Sequence, residues 1–360
     1  MSNIREDETQ KRRERIEKHR QKRDHRQRQK KSHKKQIVAG ICLVLAAAAG
    51  GGVYTVSLQQ AEKKAETASY EKAHYGGSVF RTDGLAASDL CVASEDRDAI
   101  QYSGTTDVHA AGLFDLSGKD VLYSNQIHER LYPASTTKIM TALLALEQGN
   151  LSDIVTVGKN AAASSFPADA SLCGLKEGDQ MTLETLLHGL LLSSGNDAAT
   201  AIAEYISGSE EAFVEEMNAR ARELMAVNTH FVNPHGLHDD NHYTTAYDLY
   251  LIFNTCIQNE EFLKIIESDG YTASITEADG SVRTEEWSPT NYYARGIVDA
   301  PEGVTVVGGK TGTTGEAGYC LILLDRNAAD DPYISIVMGA GSRDILYEDM
   351  NALLEGTQGR

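Results

Sequence analysis

Apolar residues recur at helical spacing over several long stretches of this chain. Residues 133–147 (PASTTKIMTALLALE) are too apolar for a surface helix and predict a buried helix that begins near Ser135. Residues 182–192 (TLETLLHGLLL) predict a second strongly apolar helix with a Thr-x-x-Thr start. Further helices are expected over residues 198–206 and, with an apolar stripe on one face, over residues 210–225.

Strand signals lie on both sides of this helical region. Residues 108–114 and 121–124, separated by the polar turn DLSGKD, predict a β-hairpin. Residues 231–237 and 242–249 predict a turn and then the start of a helix, and a variable polar region with no predicted element follows before residue 304. Three later strands and a closing helix are predicted, in order, over residues 304–307, 319–324, 333–338 and 344–354. This order of elements indicates an α+β domain with an antiparallel sheet.

Charge is distributed unevenly along the chain. Residues 1–36 hold 15 Lys and Arg against 6 Asp and Glu, a net charge of +9, and the remainder carries −27, which together give −18. Residues 37–58 are 22 residues without a charge, long enough to span a bilayer. Basic residues flank only the N-terminal side of this run, so the positive-inside rule predicts a cytoplasmic tail, a transmembrane anchor and an extracytoplasmic remainder.

Other interpretations of the N-terminal region remain open. The span could be cleaved as a signal peptide after the small residues 47–49 (AAA), although its basic region is unusually long. The tail could also bind nucleic acid, but a solvated tail beside anionic membrane lipid is the preferred interpretation, and no nucleic-acid partner is expected. Residues 59–105 are polar and lack sustained periodicity, so they predict an extracytoplasmic linker before a folded domain at residues 106–356.

The cysteines do not indicate a disulfide framework. Cys42 lies in the uncharged span, and Cys91, Cys173, Cys256 and Cys320 are widely spaced in the exported part. Cys320 lies inside the apolar run YCLILL, which predicts a buried free thiol on a strand.

A serine and a lysine stand at the head of the first buried helix. Ser135 and Lys138 are three residues apart, so on a helix they share a face, and the lysine amine could serve as base for the hydroxyl. This spacing is weak alone, because Ser32 and Lys35 repeat it in the basic tail. Two more short motifs follow, Ser194-Gly195-Asn196 between two apolar helices and Lys310-Thr311-Gly312 before a strand.

The three motifs in this order are the signature of serine penicillin-recognising enzymes. Together with the stretches LLLSSGNDAA (190–199), NPHGL (233–237), HYTTA (242–246) and EAGYC (316–320), they closely resemble low-molecular-mass penicillin-binding proteins, which are serine-type D-alanyl-D-alanine carboxypeptidases. The resemblance covers about residues 108–356. It implies a penicillin-binding-protein/β-lactamase-like transpeptidase fold, in which a five-stranded antiparallel sheet packs against helices and an all-helical lobe closes the cleft.

The resemblance also implies the activity and the catalytic residues. The enzyme would remove the terminal D-alanine from peptidoglycan pentapeptides through an acyl-enzyme, β-lactams would inhibit it, and no cofactor or metal is expected. Ser135 would attack the carbonyl and Lys138 would take its proton, which requires a lysine pKa well below about 10.4. Ser194 and Asn196 would relay a proton to the leaving D-alanine and hold the peptide, with Lys310 adding positive charge.

Substrate-binding residues are expected on the strand that carries the third motif. Thr311, Gly312 and Thr313 would line the bound peptide, and the backbone N–H groups of Ser135 and Thr313 would form an oxyanion hole. Arg343 is predicted to bind the free carboxylate of the substrate. The alternative, that Arg343 pairs with Asp344 or caps the final helix, remains open.

Three rival functions use other residues of the chain. A class A β-lactamase would need a deacylating glutamate, for which Glu215-x-x-Asn218 is the candidate, but both residues are expected on the solvent side of their helix. A membrane-tethered β-lactam sensor would acylate without turnover. A metal site is suggested by a group of histidines and aspartates, for which ordinary turn structure is the preferred interpretation: His235, His238, Asp239, Asp240 and His242.

Overall fold

The computed structural model describes residues 59, 62–70, 88–105 and 107–359. The predicted tail at 1–36 and the predicted anchor at 37–58 lie outside the described residues. No helix within the described ranges is long and apolar enough to cross a membrane. The chain divides into two compact units, Met1–Ala65 and Glu66–Arg360, and the fold described below belongs to the second.

Two antiparallel sheets contain the strands of this unit. In chain order the strands are β1 (Arg97–Asp98), β2 (Ala110–Asp115), β3 (Asp120–Asn125), β4 (Ile154–Thr156), β5 (Gln180–Thr182), β6 (Tyr271–Thr276), β7 (Val282–Trp287), β8 (Thr305–Thr314), β9 (Gly318–Arg326) and β10 (Pro332–Ala340). The larger sheet has the order β1-β3-β2-β10-β9-β8, and the smaller one has the order β4-β5-β6-β7. The predicted hairpin at 108–124 is confirmed as β2 and β3.

The larger sheet differs from the five-stranded expectation in having six strands. The sixth strand, β1, contributes only two residues, which pair with Tyr123 and Ser124 of β3. At the other end of the sheet, β8 runs without interruption through the Lys310-Thr311-Gly312 motif and pairs with β9. The motif therefore lies on a long strand at the edge of the sheet, and among the described residues no further strand pairs with it.

The smaller sheet corrects two expectations from the sequence. The lobe beside the main sheet is not all-helical, because β4 to β7 form a four-stranded sheet there. The variable polar region before residue 304, for which no element was predicted, contains the β6–β7 hairpin. These strands pair from Tyr271 with Trp287 to Thr276 with Val282, around a turn in which Gly280 has φ of +84°.

Helices fill the space around both sheets. In chain order they are α1 (Lys138–Gln148), α2 (Leu183–Leu191), α3 (Asn196–Ser207), α4 (Glu210–Glu223), α5 (Ala246–Cys256), α6 (Glu260–Ile266) and α7 (Arg343–Glu355). Side-chain oxygens cap the N-termini of several of them by accepting a backbone N–H, as predicted for Thr182 at the start of α2. Helix α1 is central: its first eight residues are buried, and it packs against α2, α3 and α5.

The main sheet separates two apolar layers because successive side chains of a strand point to opposite faces. On β9, Ile322 and Leu324 belong to the layer that contains α1, and Leu321 and Leu323 belong to the layer that contains α7. The next residue, Asp325, is fully buried, and neither of its carboxylate oxygens has a hydrogen-bond partner at normal distance.

All four cysteines in the described residues are buried, and none of these four forms a disulfide bond. Cys320 lies on β9 with 1% of its surface exposed, so the prediction of a buried thiol on a strand is confirmed.

Candidate active site

Ser135 lies in a 3-10 turn, Ala134–Thr137, that leads directly into α1. The expectation that Ser135 lies on the α-helix itself is therefore wrong by one turn. Ala134 has φ of +47°, an uncommon conformation for a residue with a side chain. The carbonyl oxygen of Ala134 lies against Gly236, where a Cβ would be 1.9 Å from it, so the turn at residues 233–237 packs on the backbone beside Ser135.

Lys138 is fully buried and is surrounded by oxygen atoms. Its Nζ lies 2.9 Å from Ser135 Oγ, 2.7 Å from Asn196 Oδ1 and 2.6 Å from the carbonyl oxygen of His235. The amide and the carbonyl can only accept hydrogen bonds at these atoms, whereas a serine hydroxyl can also donate one. A neutral amine has two hydrogens and one lone pair. Lys138 can therefore donate to Asn196 and His235 and accept the hydroxyl proton of Ser135.

The electrostatic surroundings favour this neutral form of Lys138. Burial lowers the pKa of the Lys138 amine well below its usual value, and the nearby positive charge of Lys310 lowers the pKa further. Cys173 and Asp197 act in the opposite direction and offset part of the effect. The sequence expectation of a lysine with a depressed pKa agrees with this environment.

Lys310 and Ser194 form a second pair close to the first. Lys310 Nζ donates to Ser194 Oγ at 2.9 Å and to the carbonyl oxygen of Thr311 at 2.9 Å. Burial lowers the pKa of Lys310 to about 7. Ser194 has φ of +60°, a strained conformation that a loop keeps only when its surroundings hold it in place. The structure thus places the predicted residues of all three motifs around one point.

Strand β8 approaches the backbone of Ser135 closely because residue 312 is glycine. A Cβ on Gly312 would lie 2.8 Å from the carbonyl oxygen of Pro133 and 3.0 Å from the backbone nitrogen of Ser135. Real Cβ atoms do not come this close to backbone atoms, so any larger residue would push the strand away. The glycine lets the peptide that leads into Thr313 lie beside the N–H of Ser135.

Two cavities meet at Ser135 and share Ser171 and Thr313 in their walls. The smaller has a volume of about 160 Å³ and is lined by Ser194, Thr311 and Arg343, among others. The larger has a volume of about 400 Å³ and extends past Asn196 to the side chains of Asp169, His238 and Glu316.

Arg343 is held at the edge of the smaller cavity by aromatic side chains. Its guanidinium donates to the hydroxyl of Tyr292 at 2.6 Å and lies over the rings of Tyr292 and Tyr319. The alternative roles of this residue find no support in the described structure. Ser342 caps α7, and no ion pair joins Arg343 to Asp344 in the described part of the chain.

The family of the chain follows from comparison with known proteins. Residues 98–342 match the D-alanyl-D-alanine carboxypeptidase family. The chain belongs to this family. It is 36% identical over 239 residues to D-alanyl-D-alanine carboxypeptidase DacF of Bacillus subtilis and 34% identical over 259 residues to DacC of Escherichia coli. These alignments cover 65% and 69% of this chain, and 57% and 61% of the relatives, so the chain spans about three fifths of their length.

Solved structures of similar proteins show the fold of the carboxypeptidase family. The DD-transpeptidase of Streptomyces K15 has a TM-score of 0.65 at 30% identity, over 70% of this chain and 97% of that one. Penicillin-binding protein 5 of Haemophilus influenzae has a TM-score of 0.62 at 32% identity, over 70% of each chain. The α+β fold of the penicillin-binding DD-peptidases, predicted from the sequence, is therefore shown.

The described structure does not support two of the rival functions, the class A β-lactamase and the metal site. Glu215 is exposed on α4 and lines neither cavity at Ser135. Asn218 is not on the solvent side as expected, because it is partly buried and bonds to the backbone of Phe231. His235 and His242 accept backbone N–H groups through Nδ1. The described ranges contain no group of three or more His, Cys, Asp or Glu arranged to hold a metal ion.

The sequence analysis missed a segment that lines one side of the larger cavity and reaches the smaller one at Ser171. Residues 167–171 have no regular secondary structure, and two residues at the start of α3 fix the chain around them. The backbone nitrogen of Asn196 donates to the carbonyl oxygen of Ser171, and the buried carboxylate of Asp197 accepts the N–H groups of Cys173 and Leu175. The acidic residue directly after the Ser-Gly-Asn motif was the available signal, since a carboxylate inside an apolar helix requires partners.

Proposed function

We propose that this member of the carboxypeptidase family is a serine DD-carboxypeptidase that removes the terminal D-alanine from peptidoglycan stem peptides. The observation that carries the proposal is the buried Lys138 amine, which lies 2.9 Å from Ser135 Oγ. Its two hydrogens can be donated to Asn196 Oδ1 and to the carbonyl oxygen of His235, so its lone pair faces the hydroxyl. Such an amine is a general base already aimed at a nucleophile. The similar proteins named above support the same substrate class.

In the first half of the reaction Ser135 attacks the carbonyl carbon between the two terminal D-alanines. Its proton passes to Lys138 as the new C–O bond forms. The N–H groups of Ser135 and Thr313 stabilise the oxyanion, and Gly312 supports this role because it allows the strand to approach Ser135. The C–N bond then breaks, and the proton reaches the leaving amine through Ser194, whose hydroxyl Lys310 holds at 2.9 Å.

In the second half water attacks the ester on Ser135 and regenerates the enzyme. Lys138 accepts a proton from the water and returns one to Ser135 Oγ as the C–O bond breaks. Asn196 keeps the lysine in position throughout, since its Oδ1 lies 2.7 Å from Nζ. A β-lactam would form the same ester but leave its amine tethered next to it, so β-lactams are proposed inhibitors.

Mass spectrometry of the full-length protein in detergent tests the proposal. With benzylpenicillin we expect one stable mass addition on the peptide that contains Ser135, and with a pentapeptide ending in D-Ala-D-Ala we expect free D-alanine. Rapid hydrolysis of the penicillin would favour the β-lactamase alternative. A stable adduct without any D-alanine release would favour the sensor.

The free carboxylate of the substrate is proposed to bind in the smaller cavity. Arg343 and Thr311 provide a cation and a hydroxyl there, and a volume of about 160 Å³ suits one small terminal residue. The Arg343→Ala variant is expected to lose about 10-fold or more in kcat/KM on a free D-Ala-D-Ala terminus, with an unchanged melting temperature. The loss should be much smaller on a peptide with an amidated C-terminus. Equal losses on both peptides would mean that Arg343 is structural.

We further propose a single-pass membrane protein with residues 1–36 in the cytoplasm and the catalytic domain at 106–356 outside. The uncharged span at 37–58 and the basic residues on one side of it support this arrangement. Protease added to intact cells is expected to remove the catalytic domain and to spare a tag at Met1. A mature N-terminus near residue 50 would show that the span is cleaved.

A further inference from the structure

Arg343 lines the smaller cavity from an exposed position at the start of α7. An arginine side chain that moves freely in solvent loses rotamer entropy when a ligand fixes it. A side chain that is already held when the ligand arrives avoids part of this cost. The contacts that hold Arg343 therefore affect how well the smaller cavity binds a carboxylate.

Tyr292 holds Arg343 through two contacts. Its hydroxyl accepts a hydrogen bond of 2.6 Å from Nη1, and the guanidinium carbon lies 5.1 Å from the centre of its ring. Tyr292 is not among the residues that line the smaller cavity. We therefore expect any effect of Tyr292 on a bound substrate to pass through Arg343.

The position of Tyr292 is itself fixed by Tyr347 of α7. The Tyr347 hydroxyl accepts the backbone N–H of Tyr292 at 2.8 Å, and the two rings stack with their centres 5.1 Å apart and 9° between their planes. Tyr347 is buried in the apolar layer that contains α7. It follows Arg343 by four residues, so the two side chains share a face of the helix. The Tyr292 ring thus connects the exposed guanidinium to a buried part of the domain.

This arrangement holds the guanidinium without compensating its charge. A tyrosine hydroxyl is neutral near pH 7, whereas a carboxylate in the same place would offset the positive charge that attracts the substrate. In the part of the chain that the structure describes, no acidic side chain forms an ion pair with Arg343. Tyr292 takes one of the five N–H groups of the guanidinium, so enough donors remain to bind both oxygens of a carboxylate.

Arg295 is a second cation near the Tyr292 ring. Its guanidinium carbon lies 5.5 Å from the ring centre, but its side chain is exposed and does not line the smaller cavity. Within the described ranges, no hydrogen bond joins Arg295 to the Tyr292 hydroxyl. The hydroxyl is therefore available to Arg343.

We propose that Tyr292 is a positioning residue, which holds Arg343 ready to bind the free carboxylate of the substrate. This rests on the proposed function, since it assumes that the terminal carboxylate binds at Arg343. The hydroxyl fixes the direction of the guanidinium, and the ring supports it from one side. Removal of the hydroxyl weakens recognition of the carboxylate and leaves the chemistry at Ser135 unchanged.

Two matched peptides and the variant Tyr292→Phe test the proposal on the full-length protein in detergent. One peptide is Nα,Nε-diacetyl-L-Lys-D-Ala-D-Ala, and the other is the same peptide with an amidated C-terminus. In Tyr292→Phe we expect kcat/KM on the free terminus to fall about 3- to 10-fold, mainly through a higher KM, and kcat/KM on the amidated peptide to stay within about twofold. The ratio of the two values, read on one preparation, does not depend on the fraction of enzyme that is folded.

The neighbouring tyrosine supplies a matched control. The Tyr293 hydroxyl donates to Asn351 Oδ1 at 2.7 Å, and its ring also contacts Tyr347. Tyr293 makes no hydrogen bond to Arg343 in the described structure. Tyr293→Phe should therefore keep the wild-type ratio between the two peptides, whatever its effect on the melting temperature.

A double-mutant cycle shows whether Tyr292 acts through Arg343. In an Arg343→Ala background, Tyr292→Phe should change kcat/KM on the free terminus by less than about twofold, because the group that it positions is absent. A tyrosine with a structural role alone would cause the same loss in both backgrounds.

Three outcomes would overturn the inference: an unchanged ratio in Tyr292→Phe, equal losses on both peptides, or a full further loss in the Arg343→Ala background. If the wild type releases no D-alanine from the peptides, the proposed function fails, and covalent labelling then tests Tyr292. Benzylpenicillin carries a free carboxylate and its methyl ester does not. A labelling preference for the free acid that shrinks in Tyr292→Phe would support the positioning role, and an unchanged preference would exclude it.

Discussion

Ser135→Ala is expected to abolish both covalent labelling by benzylpenicillin and the release of D-alanine. The substitution removes the hydroxyl oxygen that is proposed to form the acyl ester and leaves the surrounding turn unchanged. Loss of a serine nucleophile costs several orders of magnitude, because its partners contribute little without it. We therefore expect a fall of about 10⁴-fold or more in kcat/KM, with a melting temperature close to that of the wild type.

The chain supplies a matched control for this experiment. Ser32 stands three residues before Lys35 and repeats the Ser-x-x-Lys spacing in the basic tail. Ser32→Ala should label with penicillin as the wild type does. Labelling that persists in Ser135→Ala, measured by mass spectrometry of the protein and of its tryptic peptides, would show that another residue is the nucleophile.

Lys138→Gln is expected to lower the rate of penicillin acylation by about 10²- to 10⁴-fold, the range typical of a general base. Glutamine is neutral and can still donate to Asn196 Oδ1 and to the His235 carbonyl, so the fold should survive. It cannot accept a proton from Ser135 near neutral pH. Stopped-flow acylation, combined with a melting curve, separates loss of the base from loss of structure.

Lys138→Arg gives an independent version of the same test. A guanidinium keeps its charge at all accessible pH values, so it cannot serve as a base. We expect acylation to fall at least as far as in Lys138→Gln, with some loss of stability because the site is fully buried. Near-normal acylation in either variant would exclude the proposed role of Lys138.

The sequence identified the candidate catalytic groups through three short motifs in order and their resemblance to a known family. Ser135 precedes a run too apolar for a surface helix, but its spacing to Lys138 is weak alone, and the role of Lys310 was implied by the resemblance. The sequence could not show that Lys138 would have two carbonyl acceptors from segments 58 and 97 residues away. Those contacts depend on the tertiary fold and orient the amine toward Ser135, while burial and the nearby Lys310 lower its pKa.

The β6–β7 hairpin escaped prediction because it buries few apolar side chains. Only Ala273 and Ile275 of β6 and Trp287 of β7 are buried, so the alternation of apolar and polar residues is weak. Asp279-Gly280 between the two strands is a common turn sequence and was the available signal. The cavity-lining segment at residues 167–171 was missed for another reason. It has no periodic pattern of apolar residues, and its position depends on hydrogen bonds to the start of α3.

The buried carboxyl of Asp325 couples folding of this domain to the uptake of a proton. Burial raises the pKa of Asp325 well above its usual value. Above the pKa of the unfolded chain, about 3.9, the folded state keeps a proton that the unfolded state has released. Where the unfolded state binds fewer protons, the free energy of unfolding falls as pH rises. The domain thus carries, near the end of β9, a buried group that favours mildly acidic surroundings, and Asp325→Asn should make the free energy of unfolding less dependent on pH in this range.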